Sequence, residues 1–193
     1  KLSGLFHEEG MENIQVIPKA RIPIIKFKDP RSGLDVDISL DNRLAIHNSM
    51  MLKSYAQEER LQRLIQMVKY WASRRGINNA FEGTLSSYAW TLLSIQHAQM
   101  VHPPLAPNRQ MEVDSNPLTF KGTTYDVGYN DEQFATENNQ SLASLLISFF
   151  DRFATRWDWE NMVVSVRSGE ALSTNSKKWQ HTGPLPLEVV TGA

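Results

Sequence analysis

Asp35 and Asp37 stand two residues apart in the run Leu34-Asp35-Val36-Asp37-Ile38-Ser39-Leu40, and the alternation of a strand would point both carboxylates the same way. Charge placed beside apolar neighbours is costly unless a cation or hydrogen bonds compensate it. Clustered carboxylate oxygens suit a hard divalent cation, and a cation held against a polyphosphate is the setting for metal-assisted phosphoryl chemistry. An edge strand with solvated aspartates accounts for the same two residues equally well.

Other residues could join such chemistry. Lys69 follows Val68 on an apolar helical stripe and can emerge at the stripe's edge, with Ser73, Arg74 and Arg75 one turn or more beyond. Ser86-Ser87-Tyr88 follows Gly83-Thr84-Leu85 and reads as the opening of a helix, where unpaired N–H groups and positive potential favour a phosphate. A plain N-cap explains the same serines. Asn48 would by default be a cap or turn residue. His7, His47, His97, His102 and His181 are dispersed and show no metal-ligand spacing. No P-loop and no Ser-His-Asp arrangement is visible.

The elements that must carry these residues change character along the chain. Asn13 to Lys19, Ile22 to Lys28 and Leu34 to Leu40 read as three short strands, the last two joined by an Asp-Pro-Arg-Ser-Gly turn. From Asp41 the apolar period becomes helical. Leu61, Leu64, Ile65, Val68, Trp71 and Ala72 mark an amphipathic helix ended by Gly76, a second helix opens near Ser86, and a third follows Ser141 as N-cap. The four prolines between Val101 and Lys121 suggest a loop, and the polar tail from Ser168 suggests irregular chain. Three strands with little helix to cover them make a poor layer alone, which points to a piece of a larger protein.

Composition sets the outer limits. With 41% apolar and 21% charged residues the 193-residue chain is of ordinary globular type, and no apolar run is long enough to span a membrane. The net charge of −1 offers nucleic acid no global attraction, so any such contact must be local. The absence of cysteine removes disulfides and thiolate metal sites and fits a reducing, intracellular compartment, cytoplasmic or mitochondrial.

Several of these stretches agree with one family. Asn42-Arg43-Leu44-Ala45-Ile46-His47-Asn48-Ser49, Val68-Lys69-Tyr70-Trp71-Ala72, Gly83-Thr84-Leu85-Ser86-Ser87-Tyr88, Tyr125-Asp126-Val127-Gly128-Tyr129 and the segment from Asn138 to Leu146 occur in an order and spacing that resemble the noncanonical poly(A) polymerases and terminal uridylyltransferases. These belong to the DNA polymerase β-like nucleotidyltransferases, and the resemblance runs from about Leu5 to Asn161. It implies an α+β chain: the C-terminal part of a nucleotidyltransferase palm over residues 1–43, then a mostly helical central, poly(A)-polymerase-associated domain over 44–193 that is incomplete at its C-terminus.

The resemblance also implies roles. Asp37 would be the third carboxylate of a two-metal site for Mg²⁺ or Mn²⁺ and the candidate acceptor of the RNA 3′-hydroxyl proton, with Asp35 solvated or structural. The other two carboxylates would lie in Gly-Ser and Asp-x-Asp motifs, and neither precedes Leu34 here. Asn48 would reach the ribose 2′-hydroxyl and base, with Ala45 and Ser49 lining the same pocket. Lys69 would contact the triphosphate; many relatives carry a second lysine four residues on, where this chain has Ser73, so the clamp would be weaker or borrow Arg74. Ser87 would contact the triphosphate and Tyr88 would stack on the base. Asn42 and Arg43 are candidate RNA contacts. The implied reaction adds UMP from UTP, or AMP from ATP, to an RNA 3′ end. Asn42 to Asn48 looks most like the uridylyltransferases, and an inactive pseudo-transferase or scaffold of the same family that binds only nucleotide, RNA or a protein partner is the rival reading.

Overall fold

The chain opens with helix α1 (Leu2–Glu8), which leads into a three-stranded antiparallel sheet of β1 (Glu12–Ile17), β2 (Ile24–Lys28) and β3 (Asp35–Ser39) in sequential order. The computed structural model describes residues 1–20, 22–177 and 187–188. Asp29 closes the β2–β3 turn: its carboxylate accepts from the Ser32 hydroxyl at 2.7 Å and from the Arg31 N–H at 3.0 Å. Gly33 supplies the positive φ of 71° that the turn needs. Register then sets the faces. Lys26 lies opposite Asp37, Lys28 opposite Asp35, and Phe27 opposite Val36. Asp35, Asp37 and Ser39 are exposed, while Val36 and Ile38 are half-buried on the other face. The sequence shows no sign of α1, yet Phe6 brings its ring to 4.5 Å from that of Phe27, the one buried residue of β2. That short helix supplies cover the three strands lack by themselves.

The chain divides into two units after Ile46, within helix α2 (Arg43–Tyr55). The second unit is helical, with α3 (Glu59–Arg74), α4 (Ser87–Met100) and α5 (Leu142–Asp151). Leu61, Leu64, Val68 and Ala72 of α3 are fully buried, as the stripe requires. Helix α4 is the hub, buried continuously from Thr91 to Gln99. The amide nitrogens of its buried glutamines find partners, though their carbonyl oxygens do not: Gln96 donates to the Glu170 carbonyl, and Gln99 donates to the Tyr55 hydroxyl and the Val166 carbonyl. Ser141 caps α5, accepting from the Ser144 N–H at 3.2 Å, and Phe149 and Phe153 carry the aromatic core onward into a π-helical turn, Arg152–Arg156.

Two expected irregular stretches contain strands. The Pro-rich loop ends in β4 (Pro117–Phe120), which pairs with β5 (Thr123–Asp126) through Lys121 and Gly122, both at positive φ. That is a two-residue hairpin of the type usually signalled by Asn-Gly; a lysine at the first position hides it. Pro117 is tolerated as the first residue of its strand. Further on, β6 (Met162–Ser165) pairs with β7 (Ala171–Ser173) antiparallel and with β8 (Leu187–Glu188) parallel, so the tail from Ser168 is not wholly irregular. The Gly183-Pro184 and Pro186 part of that tail lies outside the described residues. The architecture is α+β: a three-stranded antiparallel sheet in the first unit and, in the second, a helical core with a two-stranded antiparallel sheet and a three-stranded mixed sheet.

Candidate functional site

In the first unit the chemistry-bearing residue is Asp37. Its side chain is 57% exposed and its Oδ2 lies 3.2 Å from Lys26 Nζ, across the strand pair. The cation that compensates this carboxylate is therefore a neighbouring lysine on the same open face, and Asp35 shares that face. Among the described residues, no three His, Asp or Glu side chains converge into a group able to hold a metal ion.

Helix α2 carries the next set. Asn42 is its cap, its Oδ1 accepting from the Ala45 N–H at 3.3 Å. Arg43 pairs with Asp41 at 2.9 Å in an exposed ion pair. Asn48 is neither a cap nor a turn residue: it sits in the second turn of the helix, half-buried, with its Oδ1 shielded from solvent and without a hydrogen-bond partner. An unpartnered buried acceptor costs free energy unless a donor arrives. Ala45 is half-buried and Ser49 exposed, one turn apart on the same helix.

Helices α3 and α4 carry four more. Lys69 is half-buried beside Val68, and Ser73 is exposed one turn later, as are Arg74 and Arg75. Between them Trp71 packs edge-on against Trp90, with ring centroids 5.7 Å apart, which sets the last turns of α3 beside the first turn of α4. Trp90 also donates its indole N–H to the Ile77 carbonyl at 3.0 Å. At the start of α4 the two serines divide the work. Ser86 is the cap, accepting from the Ala89 N–H at 3.2 Å. Ser87 is thereby released from capping, and its hydroxyl meets the side-chain amide of Asn78. Tyr88 follows, its ring half-buried against the core and its hydroxyl buried without a partner; burial pushes that hydroxyl's pKa up to about 12, so it stays neutral.

Asn78 is the residue the sequence did not announce. Asn78-Asn79 ahead of Gly83 reads as turn chemistry, and nothing in its type or spacing marks one asparagine as a partner of Ser87.

Comparison with known proteins assigns these elements. Residues 1–57 match the central palm domain of mitochondrial-like poly(A) RNA polymerases, and residues 141–188 match the associated domain of the Cid1 family of poly(A) polymerases. Poly(A) RNA polymerase GLD2-A of Xenopus laevis is 34% identical over 181 residues, covering 89% of this chain and 35% of the relative. Poly(A) RNA polymerase cid13 of Schizosaccharomyces pombe is 33% identical over 187 residues, covering 93% and 32%. The structure of Cid1 in complex with the UTP analogue UMPNPP superposes with a TM-score of 0.86 at 32% identity, covering 98% of this chain and 62% of that one. Cid1 structures with magnesium and 3′-dATP and with the short product ApU are similar as well.

The sheet and helices thus define a palm region followed by the central domain of a nucleotidyltransferase. The chain belongs to the noncanonical poly(A) polymerase and terminal uridylyltransferase family. It spans about a third of the length of the curated relatives and 62% of the solved Cid1 chain.

Proposed function

We propose that the complete protein is an RNA 3′-terminal nucleotidyltransferase, in which the RNA 3′-hydroxyl attacks the α-phosphate of a ribonucleoside triphosphate in line and pyrophosphate leaves. The observation that carries this reading is Asn48: a buried, unpartnered carbonyl oxygen in the fold of an enzyme solved with a UTP analogue. A ribose 2′-hydroxyl is a donor of the kind that oxygen lacks, and contact with it is how a protein separates ribonucleotides from deoxyribonucleotides.

The other residues take complementary tasks. The face of the Tyr88 ring carries the base, a contact indifferent to which base it is. Lys69 balances triphosphate charge, helped by Arg74 where Ser73 replaces a lysine, and the Ser87 hydroxyl donates to a phosphate oxygen. Ala45 and Ser49 line the nucleotide pocket, and Asn42 and Arg43 at the head of α2 meet the RNA. Asp37 is a hard oxygen donor on an open sheet face, so its chemistry fits one ligand of an Mg²⁺ or Mn²⁺ set; a metal bound there would neutralise charge developing on the phosphoryl group. Displacing Lys26 from Asp37 is cheap, because an exposed pair is worth about 0–1 kcal/mol.

The preferred nucleotide is UTP, on the likeness of residues 42–48 to the uridylyltransferases. ATP is the second reading, favoured by relatives named poly(A) polymerases at comparable identity. Extension of a short RNA by the full-length protein with each of the four ribonucleotides decides between them.

A further inference from the structure

We propose that Asn78 is a positioning residue for the nucleotide's triphosphate, its side-chain amide holding the Ser87 hydroxyl so that the hydroxyl proton is aimed at a phosphate oxygen. The inference rests on the reading of Ser87 as a triphosphate contact.

Asn78 Nδ2 lies 2.9 Å from Ser87 Oγ, and Ser87 Oγ lies 3.1 Å from Asn78 Oδ1. A serine hydroxyl has one proton to donate and two lone pairs to accept with. The two pairings compete, because the N–H groups and the lone pairs of one amide diverge. When the Asn78 N–H donates to Ser87, the serine proton is free for a ligand. When Ser87 donates to the Asn78 carbonyl, that proton is spent. A triphosphate offers acceptors alone, so its arrival selects the first pairing.

The amide is well placed to impose this choice. Ile77 N–H bonds back to the Ala72 carbonyl at the end of α3, and the Ile77 carbonyl receives the Trp90 indole N–H from the first turn of α4. On the other side Asn79 exchanges hydrogen bonds with Thr84: its N–H donates to Thr84 Oγ1 at 2.8 Å, and its carbonyl accepts from the Thr84 N–H at 3.2 Å. Asn78 is thus held from both flanks, between the helix that bears Lys69 and the helix that bears Ser87 and Tyr88. The cap of α4 is Ser86, so the Asn78–Ser87 pair is not needed to start the helix.

A loop staple would show the same two distances, and a set of variants in the full-length protein separates the two roles. Asn78→Asp can accept from Ser87 and cannot donate to it, so it captures the serine proton while keeping a hydrogen bond. We expect it to weaken UTP and ATP binding about tenfold or more, the scale of a lost bond to a charged group, with uridine and adenosine binding changed by less than about twofold and the unfolding midpoint kept. Asn78→Ala frees the hydroxyl without aiming it and should cost triphosphate binding less than Asn78→Asp does. A staple predicts the opposite ranking, and equal losses for nucleoside and triphosphate.

The added charge of the aspartate is controlled by repeating both substitutions in a Ser87→Ala background, where the penalties should fall to within about twofold. If the Asn78→Asp penalty persists without Ser87, or if Asn78→Ala is the worse variant, the assignment of Asn78 is wrong while that of Ser87 stands. If Ser87→Ala by itself leaves triphosphate binding unchanged, the reading of Ser87 fails and takes the inference with it. Should Asn78→Asp not fold, the Asn78→Ala and Ser87→Ala pair decides the matter: dependent losses support the proposal and independent ones overturn it.

Discussion

Lys26 and Asp37 face each other across β2 and β3, Nζ to Oδ2 at 3.2 Å, on the open face of the sheet. An ion pair this exposed contributes little to folding. Asp37→Ala in the full-length protein should therefore leave the unfolding free energy within about 1 kcal/mol of the parent and reduce RNA extension by far more than tenfold. Activity within about tenfold, some 1.4 kcal/mol in the barrier, would remove Asp37 from the metal site.

The 193-residue chain alone should not extend RNA. Its described residues offer Asp37 and its neighbour Asp35 on one sheet face but no group of three metal-holding side chains. A primer-extension assay on the purified chain checks this, and elongation free of contaminating enzyme would overturn the two-metal account.

Tyr88 and Asn48 should separate stacking from sugar recognition. Tyr88→Ala is expected to weaken nucleotide binding by about 1–3 kcal/mol with little change in base preference. Tyr88→Phe should be silent or slightly stabilising, because it deletes a buried hydroxyl that has no partner. Asn48→Ala should lower the preference for UTP or ATP over the deoxy forms. Affinity unchanged in Tyr88→Ala, or an intact sugar preference in Asn48→Ala, would make these residues structural.

His97 gives the fold an acid-sensitive point. Its ring is fully buried in α4, with Nδ1 accepting from Arg152 Nε at 3.1 Å and Nε2 against the Ser148 hydroxyl at 3.1 Å. Burial first, and the Arg152 charge second, push its pKa down from 6.5 to about 4. The unfolded chain then binds the proton more readily than the folded one, so stability should fall as pH drops from about 6.5 towards 4, with no further loss from this group below that. The full effect is about 3 kcal/mol. Denaturant titrations across that window should show the slope in the parent and not in His97→Gln.

Much of this architecture could be read from residue order, for identifiable reasons. The α3 stripe, the Ser86 and Ser141 caps and the Asp29–Gly33 turn follow from local chemistry, and local chemistry is what a sequence displays. Helix α1 was hidden because its helical form depends on Phe6 meeting Phe27, a tertiary contact. The β4–β5 hairpin was hidden by Lys121 at a positive φ. The site divides along the same line. Positions such as Lys69, Ser87 and Tyr88 stand out through motif order, whereas Asn78 emerges only when the loop folds back and sets its amide against Ser87.

Nucleotide transfer to an RNA 3′ end is measured most directly as extension of a short RNA by the full-length protein with Mg²⁺ and each ribonucleoside triphosphate in turn. The expected result is stepwise addition with pyrophosphate release, greatest for UTP or else ATP, poor with the deoxy forms and lost in Asp37→Ala. Full-length protein that binds nucleotide or RNA yet extends the primer with none of the four would contradict it, and would establish the inactive scaffold in its place.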